Sequence, residues 1–150
     1  MADVVFVCSG NTCRSPMAMC LFNDFCRRQG LPYRAESAGI FAAEGSPASD
    51  GAFYEMKARG LDLSRHVSQP LTGMLARGAR LVVTMGDAYV AKARERCPGK
   101  RVIAFSPPVS DPFGGSAAVY RATADDLLSR MPWVLEQLQA VTKDAGDGLR

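Results

Sequence analysis

The stretch Val4-Val5-Phe6-Val7-Cys8-Ser9-Gly10-Asn11-Thr12-Cys13-Arg14-Ser15-Pro16-Met17 changes rhythm twice, and those changes decide the fold. Asp3 to Val7 is a short apolar run rich in β-branched residues, the pattern of a buried strand. Ser9, Gly10 and Asn11 are turn-formers. Pro16 falls where a first helical turn tolerates it. Met17, Leu21, Phe22 and Phe25 then recur at helical spacing, and Gly30 fits the position just past a helix end. Strand, loop and helix in that order open a βαβ unit.

The rest of the chain repeats the alternation. Tyr33 to Ser37 reads as a second strand, and a helix from about Ala48 to Arg59 stops at Gly60. Thr72 is placed to cap a short helix before Arg80. Leu81 to Thr84 is a third strand, Asp87 to Arg96 a helix ended by Pro98-Gly99, and Arg101 to Phe105 a fourth strand. Ser106 to Ser116 is a loop rich in Pro and Gly. Beyond it the pattern is helical, with Pro132 placed to kink or break it. Such alternation predicts a single α/β domain over residues 1–150, a three-layer α/β/α fold around a four-stranded parallel sheet. Residues from about 143 to 150 read as a frayed tail.

Composition narrows the functional classes. The 150 residues are 47% hydrophobic and 22% charged, which excludes intrinsic disorder. A chain of this size buries about 68–70% of its unfolded surface. No apolar run approaches the ~18 residues of a membrane span, and the N-terminus lacks the features of a secretory signal. The expected location is therefore cytoplasmic, with no membrane partner. Net charge is +3, from 18 Lys and Arg against 15 Asp and Glu, with the basic residues scattered. That suits anionic substrates and gives no nucleic-acid signature. The five Cys are odd in number, no C-x-x-C occurs, and His66 is the only His. Reduced thiols and no metal site are expected.

The chemistry concentrates between the first strand and the first helix. Cys8 and Arg14 form C-x5-R, a weak pattern sharpened by its place at the carboxyl end of a strand, where α/β sheets bind ligands. Unpaired amides at a helix start attract anions, and Ser9, Gly10 and Asn11 let successive amides curl into a nest. Arg14 can grip two phosphate oxygens in fork geometry. A sulfur at the centre of this bowl is favoured as a thiolate, a nucleophile aimed at a bound oxyanion. The bland alternative is a buried Cys and a surface Arg flanking an ordinary turn.

Val5 to Ala18, together with Ser37-Ala38-Gly39, His66 and Asp111-Pro112-Phe113-Gly114-Gly115-Ser116, resembles the low-molecular-weight protein tyrosine phosphatase family over most of the chain. The resemblance implies that Cys8 attacks phosphorus and forms a phosphocysteine, without a cofactor. The amides of Ser9, Gly10, Asn11, Thr12, Cys13 and Arg14, with the Arg14 guanidinium, would hold the phosphate. Ser15 would donate to the thiolate, although a plain helix N-cap explains it equally well. Asp111, on a loop with Gly114-Gly115 as bendable backbone, would be the general acid and later the base. Asn11 would hold the loop's shape, with Ser37 and His66 as supporting partners; a lone structural His reads equally well. Cys13 would protect Cys8 through a reversible disulfide, or is simply a small buried hydrophobe. Cys20, Cys26 and Cys97 read as filler.

Two positions bear on the substrate. Thr12 stands where tyrosine-directed members commonly carry an aliphatic residue, and Phe113 where they carry a hydroxylated aromatic. With Phe41 they resemble the family's protein arginine phosphatase branch. Phosphoarginine presents a planar guanidinium suited to stacking on Phe41 and Phe113. The expected enzyme is a monomeric phosphoprotein phosphatase preferring phosphoarginine, with inorganic phosphate as product and weak inhibitor. A tyrosine phosphatase is the main alternative. An arsenate reductase is disfavoured, since only Cys97 lies beyond Cys26, and Pro16 stands where that branch often has Gln. A non-catalytic phosphoprotein-binding module is disfavoured because Cys8, Arg14 and Asp111 are all present.

Overall fold

In a computed structural model, described over residues 2–148, four strands form one parallel sheet in the order β2-β1-β3-β4. They are β1 (Val4–Cys8), β2 (Ala35–Gly39), β3 (Leu81–Thr84) and β4 (Arg101–Ala104). β1 and β3 are buried along their whole length, as central parallel strands must be. The helices are α1 (Arg14–Arg28), α2 (Asp50–Ala58), α3 (Val90–Arg96, entered through a 3-10 turn at Asp87–Tyr89) and α4 (Ala117–Gly148).

Strand alternation splits the core in two. Val4 and Phe6 face α1 and α4, packing with Met17, Phe22, Leu127, Met131 and Leu138. Val5 and Val7 point the other way, toward Ile40, Leu71, Ala93 and Cys97. The result is the expected three-layer arrangement. α1 and α2 both end in a Schellman turn: Gly30 and Gly60 take φ of +66 and +77, and Leu31 and Leu61 bond back to Cys26 and Met56. No helix among the described residues is long and apolar enough to cross a membrane.

Several boundaries move. β2 runs Ala35–Gly39 rather than Tyr33 to Ser37, because pairing with β1 fixes it, Val4 opposite Ala35 and Cys8 opposite Gly39. No helix forms between Thr72 and Arg80. Thr72 does accept the Leu75 amide at 3.1 Å, but the segment from Gly73 to Gly78 makes only turns. A run that short, with glycine at both ends, cannot sustain a helix. Pro132 does not interrupt α4. It lies on the exposed face, four residues after the equally exposed Leu128, so the carbonyl it leaves unpaired is on the water side. α4 also continues to Gly148, so most of the expected frayed tail has helical backbone, and residues 149–150 lie outside the described residues.

β1 leads by way of α1 to β2 on one side, and the chain then crosses to β3 on the other. The carboxyl ends of β1 and β3 are thus the switch point of the sheet, the place where such folds open a crevice. Cys8 is the last residue of β1 and Arg14 the first of α1.

Candidate active site

Residues 9–13 curl between β1 and α1 over a cleft of about 210 Å³, lined by residues 8–14, Asp111 and Phe113. Cys8 sits beneath it, 2% exposed. Two groups converge on its sulfur, the Asn11 amide at 3.3 Å and the Ser15 hydroxyl at 2.8 Å. Ser15 Oγ already accepts from Asn11 Nδ2 at 2.8 Å, and the Ala38 carbonyl lies farther off at 3.4 Å. The Ser15 hydroxyl has one proton for the Cys8 sulfur or the Ala38 carbonyl, and a thiolate at Cys8, with no proton to give, would take it. The cap of α1 is Cys13, without a side-chain bond, so Ser15 is not the N-cap.

Asn11 is the hub of the loop. It takes φ of +59, a conformation Asn tolerates better than most residues. Its side chain is fully buried and fully bonded: Nδ2 donates to Ser15 Oγ and, at 3.0 Å, to Ser37 Oγ, while Oδ1 accepts the Gln69 amide at 3.0 Å. His66 Nε2 lies 2.8 Å from the Asn11 carbonyl and secures the backbone. Gln69 also donates to the Ser37 carbonyl at 2.9 Å. Ser37 and His66 are thus brought to Asn11, behind the cleft. Gly39 packs so closely beneath the loop that a β-carbon there would sit 2.6 Å from the Ser9 carbonyl oxygen.

Arg14 is 7% exposed, with Nη1 donating to the Val109 carbonyl at 3.1 Å. Its guanidinium lies 6.0 Å from the Tyr89 ring centre, and Nη2 is 3.8 Å from Asp111 Oδ2. The fork is held at the cleft wall before any phosphate arrives. Asp111 is at the rim, its side chain 54% exposed, accepting the Phe113 amide at 3.1 Å. Its two glycines shape a tight turn rather than loose backbone. Gly114 takes φ of +79, Gly115 bonds back to Pro112 at 2.8 Å, and a β-carbon on Gly115 would strike that same carbonyl.

Thr12 and Phe113 both line the cleft. Phe41 does not, although its amide reaches the Ser9 carbonyl at 2.9 Å and its ring is exposed nearby. Burial pushes the Cys20 and Cys26 thiols up to about 11 each, helped by Asp62 and Asp3 respectively, so both stay protonated. A larger hollow, about 560 Å³, lies beside β4 and α4. Its lining has no Cys or His, and its one Arg, Arg130, is committed to Asp126 and the Pro107 carbonyl. Among the described residues no His, Cys, Asp and Glu are grouped to hold a metal ion.

The sequence profile described as "Low molecular weight phosphotyrosine protein phosphatase" matches residues 3–144. The chain belongs to this family. It is a protein phosphatase by that membership, with the fold and nucleophile loop described above. It is 37% identical to a protein-arginine-phosphatase of Bacillus subtilis, over 91% of this chain and 97% of the relative. A low-molecular-weight protein tyrosine phosphatase from T. tengcongensis superimposes with a TM-score of 0.85 at 34% identity, covering 91% of this chain and 99% of the other. A cysteine-to-serine mutant of the YwlE arginine phosphatase, with a phosphorylated active-site serine, superimposes at 0.81, also 34% identical, covering 91% and 95%.

Gln69, Tyr89 and the Val109 carbonyl join this phosphatase's site from distant segments, and no motif marked them. The one available signal was negative: a buried Asn and a buried Arg must each find partners.

Proposed function

We propose that this chain is a protein arginine phosphatase that works through a phosphocysteine on Cys8. The observation that carries the reading is the sulfur beneath the cleft, met by the Asn11 amide and the Ser15 hydroxyl, with Arg14 held at the cleft wall. In the first step the Cys8 thiolate attacks phosphorus in line and the P–N bond of phosphoarginine breaks. Protonated Asp111 delivers its proton to the departing guanidine nitrogen. Arg14 and the amides of residues 9–14 stabilise the equatorial oxygens. In the second step water attacks phosphorus, Asp111 takes its proton, and the S–P bond breaks to release inorganic phosphate. Phosphate, fitting the same nest, acts as a weak inhibitor.

Phosphoarginine rather than phosphotyrosine is favoured by Thr12 in the cleft wall and by likeness to arginine phosphatases along nearly the whole chain. Thr12 offers a polar atom beside phosphorus where an aliphatic side chain would offer none. Phe113 supplies a face for the guanidinium, with Phe41 adding a second as the peptide docks. The enzyme acts on phosphoproteins in the cytoplasm, as a monomer and a single domain.

The test compares kcat/KM on matched phosphoarginine and phosphotyrosine peptides, with Cys8→Ser as the blank. A preference of about 100-fold or more for phosphoarginine, some 2.7 kcal/mol, is expected. A preference for phosphotyrosine discards the substrate and keeps the chemistry. Unchanged phosphate release by Cys8→Ser would overturn both.

A further inference from the structure

Cys13 is the second sulfur of the loop, 5% exposed, and the reaction above does not use it. Its thiol donates to Ser49 Oγ at 3.1 Å and lies 3.5 Å from the Tyr120 hydroxyl, which is 3.2 Å from Ser49 Oγ. The protons of this triangle can be assigned. Ser49 is the N-cap of α2 and accepts the Ala52 amide at 3.3 Å. With the Cys13 proton, that fills both lone pairs of Ser49 Oγ. Its own proton must go to Tyr120, and the Tyr120 proton then goes to Cys13. The ring closes in one sense only.

Thr12 completes the circuit. Its Oγ1 lies 3.8 Å from the same sulfur. Because the Cys13 proton is committed to Ser49, the Thr12 hydroxyl is the donor in that pair, and its lone pairs are left for the cleft that Thr12 lines. The Ser49 amide also fixes the Thr12 carbonyl at 2.9 Å. Tyr120 is seated without slack: it is 3% exposed, and a β-carbon on Gly51 would lie 2.2 Å from its ring.

We propose that Ser49 and Tyr120 are specificity-positioning residues: acting through Cys13, they orient the Thr12 hydroxyl as a hydrogen-bond acceptor toward the cleft and so favour leaving groups that carry N–H donors. A phosphorylated guanidinium carries such donors beside the scissile bond, and the ester oxygen of phosphotyrosine carries none. This rests on the phosphoarginine reading and deepens it. Burial above all, with the Cys13 sulfur and the Asp111 charge, raises the Tyr120 hydroxyl above its ordinary value against the opposing Ser49 bond, so the phenol keeps the proton the ring needs. Without that phenol the Ser49 proton can turn to Cys13 and the Cys13 proton to Thr12, reversing the Thr12 pair.

The experiment measures the ratio of kcat/KM on phosphoarginine to that on phosphotyrosine peptides for the wild type, Tyr120→Phe and Ser49→Thr. Each is repeated in a Thr12→Val background. Tyr120→Phe is expected to lower the ratio about tenfold, the worth of one hydrogen bond to a charged group. Ser49→Thr, which keeps the hydroxyl, retains the ratio. In the Thr12→Val background Tyr120→Phe moves it no further, since the route through Thr12 is gone. Equal losses on both substrates, or full additivity with Thr12→Val, would overturn the proposal. If Tyr120→Phe does not fold, Ser49→Ala carries the same comparison. A wild type that prefers phosphotyrosine sinks the substrate reading, while the shift caused by Tyr120→Phe still decides whether the ring orients Thr12.

Discussion

The floor and the rim of the cleft are built on opposite terms. On the floor, Cys8, Asn11 and Ser15 are buried, and among the described residues no buried side-chain nitrogen or oxygen lacks a partner. At the rim, Asp111 and Phe113 are exposed, and the Asp111 carboxylate has only the Phe113 amide and a long contact to Arg14. A phosphoryl group is the same in every substrate, so the donors that meet it are set in advance and need no rearrangement at the moment of reaction. The group that phosphate leaves behind differs between substrates, and a half-exposed rim can adjust to it. The comparison predicts that damage to the floor costs stability and activity together, whereas damage to the rim costs activity alone.

The largest effect is expected at the hub. Asn11→Ala removes partners from Ser15, Ser37 and the Gln69 amide and leaves an alanine at a positive φ that Asn tolerates better. Three buried bonds and the strained backbone together are worth about 4 kcal/mol, a large part of a domain's stability. Urea unfolding read by fluorescence checks this. Asn11→Gly should recover only the backbone share, about 1 kcal/mol. A midpoint unchanged in Asn11→Ala would mean that the loop holds itself by backbone alone, and the distinction between floor and rim would fail.

The same contrast explains what could be read from the sequence. β1, the turn and α1 were legible because their signals are local: an apolar run, small turn residues, a proline in the first turn and a helical stripe. Cys8 and Arg14 could be singled out because C-x5-R sits at the carboxyl end of a strand. Asp111 was implied only by the family resemblance, since Asp-Pro in a loop reads by itself as turn chemistry. Gln69, Ser49, Tyr89 and Tyr120 were not legible. They reach the loop through hydroxyls, backbone amides and a ring face, none of which leaves a periodicity, and their partners lie 36 to 107 residues away in the Cys13 cluster. The expected helix after Thr72 shows the converse failure, a true cap bond on a segment too short to continue. At Pro132 the sequence shows the missing N–H but not the solvent exposure that relaxes its cost.

The next effect moves to the rim. Asp111→Asn keeps the shape and the bond to the Phe113 amide but cannot give up a proton. Loss of a general acid costs about 10²-fold in kcat/KM on phosphoarginine peptides, near 2.7 kcal/mol, because the departing guanidine nitrogen needs that proton. On nitrophenyl phosphate, whose leaving oxygen departs unprotonated, the loss should be several-fold smaller. The urea midpoint should match the wild type, because Asp111 is exposed and its contact to Arg14 is long. Equal losses on the two substrates would remove Asp111 from the role of acid and leave it as a structural partner of Arg14.

The smallest effect tests how far the rim is separate from the fold. Phe113 is 73% exposed, yet it lines the cleft. A ring that wet contributes little to the core, so Phe113→Ala should change stability by less than about 0.5 kcal/mol. Lost stacking against a guanidinium at an exposed site is worth about 0.5–1 kcal/mol, which corresponds to a two- to five-fold rise in KM with kcat nearly unchanged. Phe113→Tyr, which keeps the ring, should leave KM for phosphoarginine in place. If kcat falls instead while KM holds, the ring acts by positioning Asp111 through the turn they share. The rim would then be one rigid unit, as preorganised as the floor beneath it.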